Sequence, residues 1–140
     1  MNIILQKLVS IFRCTPKIEL ADLYKYTNSV ELEFVHAVDG KMYWVVTCPK
    51  QGIKEKGKDG VRTVDEVIEK MFYRLHSNET ALTRPIWVMT VGYIWAWRHG
   101  CDRPNRNLLE YAEAMAQSYY DEPEELLSPA EAVDLEISYS

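Results

Sequence analysis

Ile86-Trp87-Val88-Met89-Thr90-Val91-Gly92-Tyr93-Ile94-Trp95-Ala96-Trp97 runs for twelve residues without a charge and holds three of the four tryptophans. Its β-branched and aromatic composition suits a strand. Its ends suit a helix. Thr83 stands at the N-cap position and Pro85 falls in the first turn. Arg98 and His99 close the last turn, with Gly100 at the left-handed position beyond. Two punctuated ends outweigh composition, and the stretch is predicted to be a helix over about 84–99. A helix that is apolar all round belongs in a core. At ~100° per residue, Trp87 and Trp95 lie about 80° apart and Trp97 about 160° from Trp95, so the three cannot share one face. Most are therefore core residues, and Trp97 is the one expected at the surface beside Arg98. Tryptophan with arginine is a composition typical of binding hot spots.

Before this stretch, the best local signal is a hairpin. Val30–Val38 and Lys41–Cys48 flank Asp39-Gly40, the pair favoured by a two-residue type I′ turn. That turn sets His36 opposite Tyr43, Phe34 opposite Val45 and Leu32 opposite Thr47 on one face. Val35 then lies opposite Trp44, Ala37 opposite Met42 and Glu33 opposite Val46 on the other. A lone hairpin is only marginally stable, so helices must cover it. Ile18–Tyr26 reads as a short helix or irregular chain.

Pro49–Gly60 is rich in glycine and lysine, has no apolar pattern and reads as a loop. Thr63-Val64-Asp65-Glu66 is a capping-box sequence, and Val64, Val67, Ile68, Met71, Phe72 and Leu75 recur at helical spacing after it. Downstream of the central stretch, Asn107–Tyr120 reads as a helix. Ser128-Pro129-Ala130-Glu131 opens another that runs to about Glu136. At the start of the chain, Ile3, Ile4, Leu5, Leu8, Val9, Ile11 and Phe12 form a helical stripe that ends before Pro16. It is expected to pack on the core, with a homodimer contact or a membrane-surface anchor as the alternative uses. The predicted fold is α+β: a central antiparallel hairpin at about 30–48, packed by four or five helices. At 140 residues it is predicted to form a single compact domain over 1–140.

The charge is uneven. Residues 1–106 carry all 16 Lys and Arg against 12 Asp and Glu, a balance of +4. Residues 107–140 carry nine acids and no base, so the net charge is −5. Three widely spaced cysteines, Cys14, Cys48 and Cys101, suit a reducing compartment. Met1–Phe12 lacks the cationic start and small-residue cleavage site of a signal peptide, and no apolar run reaches the ~18 residues of a membrane span. The expected location is the cytoplasm.

Two sites invite chemistry and neither is complete. Gly52-Ile53-Lys54-Glu55-Lys56-Gly57-Lys58-Asp59 approaches a phosphate-binding loop. Asp59, however, stands where the motif requires a hydroxyl, and the next helix starts too late to aim its N-terminus there. His99, Cys101 and Asp102 cluster after the aromatic helix but fall short of a metal-ligand set or a nucleophile pair. No cofactor or metal is expected, and the chain is predicted not to be an enzyme.

The leading functional expectation is a protein-interaction module. Its acidic surface (Glu110, Glu113, Asp121, Glu122, Glu124 and Glu125, with Trp97 and Arg98) would bind a partner protein with a basic surface, a nucleic-acid-binding protein among the candidates. Carboxylates arrayed on a helix can present a charge pattern like that of a nucleic-acid backbone. Size and charge suit a small phage- or plasmid-type inhibitor of a host nuclease or defence complex, and equally a small acidic chaperone or assembly factor. The alternative is nucleic-acid binding. There Lys50, Lys54, Lys56, Lys58 and Arg62 would track phosphates while Trp44 or Tyr43 stacks on bases.

Overall fold

The structure, a computed structural model, describes residues 17–121 and 125–139. The stripe at Ile3–Phe12, Cys14, Glu122 and Glu124 lie outside the described residues. The fold is α+β, with a three-stranded antiparallel sheet in the order β1-β2-β3 and five helices among the described residues. Among the described residues two compact units are distinguished, one of residues 17–72 and one of residues 73–121 and 125–139.

The first unit begins with α1 (Leu20–Leu23), a single turn closed by a capping box between Glu19 and Asp22. The Asp22 carboxyl is held below its ordinary value, chiefly by the Glu19 N–H. β1 (Glu31–His36) and β2 (Met42–Cys48) follow as a hairpin. The register differs by one residue from the predicted one: Phe34 lies opposite Trp44, His36 opposite Met42 and Leu32 opposite Val46. The turn explains the slip. A type I′ turn needs positive φ at both central residues, and Asp39 does not adopt it; only Gly40 does, at φ 88°. The Ala37 N–H donates to the Lys41 carbonyl and the Gly40 N–H to the Ala37 carbonyl. The loop is therefore Val38-Asp39-Gly40, three residues ending in a glycine bulge. Asp39 Oδ1 accepts from the Lys41 N–H and steadies it.

The lysine-rich stretch also departs from expectation. Ile53–Lys56 is a strand, β3, pairing with Val45–Cys48. A turn at Pro49–Gly52, with Gly52 at φ 67°, brings it back along β2. Its inward residue is Glu55, buried, with Lys70 Nζ 3.9 Å from its carboxylate and donating to the Lys56 carbonyl at 3.0 Å. A pattern search for apolar alternation passes over a strand whose inward position is a charge. Beyond β3, the Gly57 N–H donates to the Trp44 carbonyl and the Gly60 N–H to the Met42 carbonyl, extending the pairing. A Cβ on Gly57 would stand 2.8 Å from Val67 Cγ2, so only glycine fits there without a shift.

Helix α2 (Asp65–His76) spans the boundary between the units. Its buried residues Val67, Ile68, Met71 and Phe72 carry the predicted stripe, and with Ile18, Leu23, Val45, Val46 and Cys48 they form the apolar interior of the first unit.

In the second unit the central stretch is a helix, α3 (Arg84–Arg98), as predicted. Trp87–Ile94 and Ala96 are all buried. The N-cap is Thr83, with Pro85 in the first turn. At the other end the Cys101 N–H donates to the Ala96 carbonyl and the Gly100 N–H to the Trp97 carbonyl, with Gly100 at φ 75°. That is the Schellman pattern. Helices α4 (Arg106–Tyr119) and α5 (Pro129–Ser138) pack on α3. Asn105 caps α4 through the Leu108 N–H, and the Ser128–Glu131 capping box opens α5 as predicted. Where α3 meets α4 the approach is close, since a Cβ on Gly92 would stand 2.9 Å from Leu109 Cδ2 and 3.2 Å from Pro104 Cβ.

Candidate functional site

The acidic third is not a row of solvated carboxylates. Arg84, at the start of α3, grips Asp121 with both carboxylate oxygens engaged, at 2.8 and 2.9 Å, and reaches Glu113 Oε1 at 2.6 Å. Glu113 is largely buried, and its second oxygen has no hydrogen-bond partner among the described residues. The paired carboxylates, Asp121 first, raise the Arg84 guanidinium above its ordinary value.

On α5, Asp134 pairs with Arg98 and Glu131 closes the capping box. Glu136 accepts from the Tyr119 and Tyr111 hydroxyls, each at 2.7 Å. Those bonds lower the Glu136 carboxyl, Tyr119 contributing more than Tyr111. In return the carboxylate raises the Tyr111 hydroxyl and pushes Tyr119 up to about 12. Of the sequence-predicted partner residues, Glu110 is half-buried and Glu125 exposed, and neither makes a side-chain hydrogen bond or ion pair among the described residues. Arg84, Tyr111 and Tyr119 escape a sequence reading because each meets its carboxylate only through tertiary packing.

Trp97 is half-buried, with the Arg74 guanidinium 3.8 Å from its ring centroid and its own N–H buried without a hydrogen-bond partner. Arg98 is exposed and turned toward Asp134. The two residues are neighbours in sequence but engage different parts of the unit.

In the first unit, Lys54 and Lys56 project from the same face of β3 as each other, and Lys56 Nζ lies 5.9 Å from the Tyr43 ring. Lys50 is exposed in the turn and Lys58 in the segment after β3. Trp44 is on the opposite face of the sheet, because it alternates with Tyr43 along β2. The proposed phosphate-tracking lysines on β3 and the proposed stacking tryptophan are therefore separated; Tyr43 alone keeps their company.

The face that carries Trp44 has a feature of its own. Phe34, His36, Met42, Trp44 and Arg62 line an open groove of about 300 Å³. Phe34 touches both neighbouring rings, Trp44 at 5.3 Å between centroids and 48° between planes, His36 at 5.2 Å and 86°. The Trp44 indole N–H donates to the Arg62 carbonyl, fixing ring and loop together. The predicted register scattered these side chains over both faces of the sheet, and the observed register gathers them on one.

His99, Cys101 and Asp102 do not form a constellation. His99 Nδ1 is bonded to the Trp95 carbonyl at 2.7 Å, and Cys101 Sγ faces the His99 carbonyl rather than its ring. Among the described residues no cluster of His, Cys, Asp and Glu is arranged to hold a metal ion, and no helix is long and apolar enough to cross a membrane. Comparison with protein-family models, with curated proteins and with solved structures gave no match.

Proposed function

We propose that this chain is a non-enzymatic interaction module whose helical unit offers an electronegative surface to a basic partner protein. One observation supports the reading above the others. Among the described residues, 73–121 and 125–139 carry five arginines against nine Asp and Glu, a balance of −4, while residues 17–72 carry nine Lys and Arg against ten acids, a balance of −1. Most of the net negative charge therefore lies in the helical unit.

The internal bonds refine which carboxylates do the work. Glu113 and Asp121 share the Arg84 charge and serve the fold first. Glu110 and Glu125 remain as contact groups, with the exposed Asp134 beside its arginine. Fixed carboxylates on packed helices raise the rate and selectivity of association with a basic surface more than its ultimate strength, and salt weakens them.

The test is capture from native cells with the intact chain and with the Glu110→Lys/Glu125→Lys variant, both substitutions lying outside the internal ion pairs. The expected result is a partner that elutes as salt rises and is lost from the variant. Equal capture by both chains, or retention insensitive to salt, would exclude the acidic surface as the contact.

A further inference from the structure

The groove on the Trp44 face belongs to the other unit and carries a separate reading. Its volume of about 300 Å³ is at the small end for ligand pockets. That suits one bulky side chain better than a dinucleotide or flavin. Its walls are the rings of Phe34, His36 and Trp44 and the thioether of Met42, all half-buried or exposed. Methionine and aromatic rings adapt well to an apolar anchor.

Ring orientation decides between nucleic acid and protein. Successive bases stack on open, flat ring faces. Here the rings are inclined at 48° and 86° to one another, so they form a cup. Trp44 is held in place by its bond to the Arg62 carbonyl, so little side-chain freedom is lost when the cup fills. That bond also sets Arg62 at the rim, where the side chain is exposed and makes no ion pair among the described residues. The carboxylate of Asp59, in the same segment, is turned onto the Met42 N–H at 2.8 Å. An unpaired guanidinium beside an apolar cup calls for a carboxylate next to the anchor.

We infer that the cup formed by Phe34, His36, Met42, Trp44 and Arg62 docks a partner-protein loop, taking one aromatic or large aliphatic side chain with an adjacent carboxylate on Arg62. This surface is independent of the acidic one: its partner is acidic at the point of contact, and the two can fail separately.

The experiment titrates the full ¹⁵N-labelled chain with the blocked peptide Ac-Gly-Phe-Glu-Gly-NH2, following the Trp44 indole N–H and the Phe34 and Met42 amides. These signals are expected to shift together. The Ala-Glu analogue should leave them in place, and the Phe-Lys analogue should bind about 3- to 5-fold more weakly, as expected for losing one exposed charge contact. Arg62→Gln should erase the preference for Glu over Lys, and Phe34→Ser should abolish the shifts while the rest of the spectrum keeps its dispersion. If Phe34→Ser fails to fold, the exposed Arg62→Gln carries the test alone. The proposal is overturned if the Phe-Glu peptide shifts none of these signals, if the Ala-Glu analogue shifts them equally, or if Arg62→Gln leaves the preference intact. It is also overturned if oligothymidylate moves them where the peptide does not, which would assign the cup to nucleic acid.

Discussion

Tyr119 on α4 donates its hydroxyl to Glu136 on α5 at 2.7 Å, a bond that makes the contact between these two helices sensitive to pH. The bond holds the Glu136 carboxyl below its ordinary value and pushes Tyr119 up to about 12. A lowered carboxyl contributes stability above its unfolded pKa and loses it as pH falls through the folded value. A raised phenol contributes stability below its unfolded pKa and loses it as pH climbs through the folded value. The alkaline loss therefore runs from about 10 to about 12. Glu136→Gln should return the Tyr119 titration toward 10.0, read as phenolate absorbance by difference from Tyr119→Phe. Tyr119→Phe should cost about 1 kcal/mol at neutral pH, by urea denaturation. An unchanged phenol titration in Glu136→Gln would show that the bond is absent in solution.

Arg84 is the second control point. Its side chain is 32% exposed, but that of Glu113 is only 13% exposed, so removing the guanidinium strands a largely buried carboxylate. Breaking a buried pair costs about 3–5 kcal/mol, and the partial exposure of Arg84 reduces this to about 2 kcal/mol. Arg84→Gln should show that loss in the urea midpoint. Arg84→Lys should recover little, because an ammonium cannot make the forked contact with Asp121. The Arg84→Gln/Glu113→Gln double variant should be more stable than Arg84→Gln, and a purely additive double variant would contradict the pairing.

Gly92 sits where α3 lies close against Leu109 of α4. Alanine there would gain about 1 kcal/mol of helix propensity. Its Cβ would also stand 2.9 Å from Leu109 Cδ2 and 3.2 Å from Pro104 Cβ. Leu109 is buried and the proline ring is stiff, so neither yields readily. Overpacking of this kind costs about 1–3 kcal/mol. Gly92→Ala should therefore lower the melting temperature despite its propensity, and Gly92→Val should lower it further. A more stable Gly92→Ala chain would show that the interface has slack.

What could be read from the sequence follows the range of the interaction. Pro85 and Gly100 punctuate α3, and Ser128 with Glu131 opens α5, because capping is chemistry within four residues. β3 was hidden because its inward side chain, Glu55, is made tolerable by Lys70 on another element. The −9 excess after residue 106 was visible as a count. Its partial neutralisation by Arg84 and Arg98 was not, since those pairs span 36 and 37 residues or form across helices. The sheet-face cup was lost through a single residue of register. Phe34 and Trp44 change from opposite faces to the same face when the strand slips by one.

That slip rests on Val38, which is fully exposed and contributes only its backbone to the three-residue loop. Deleting it would leave Ala37 and Lys41 flanking Asp39-Gly40. The strand pairs would be unchanged, now joined by the two-residue turn that Asp-Gly prefers. Asp39 would have to enter the left-handed region, which Asp and Asn tolerate better than most residues. The deletion is expected to alter stability by no more than about 0.5 kcal/mol and to keep Phe34 opposite Trp44, as cross-strand nuclear Overhauser effects would report. Deleting Gly40 instead removes the one residue of the loop at positive φ and should cost more than about 1 kcal/mol. If the chain without Val38 instead moves Phe34 away from Trp44, the chain keeps a three-residue loop at the expense of the strand pairs, and loop geometry rather than cross-strand packing sets the register.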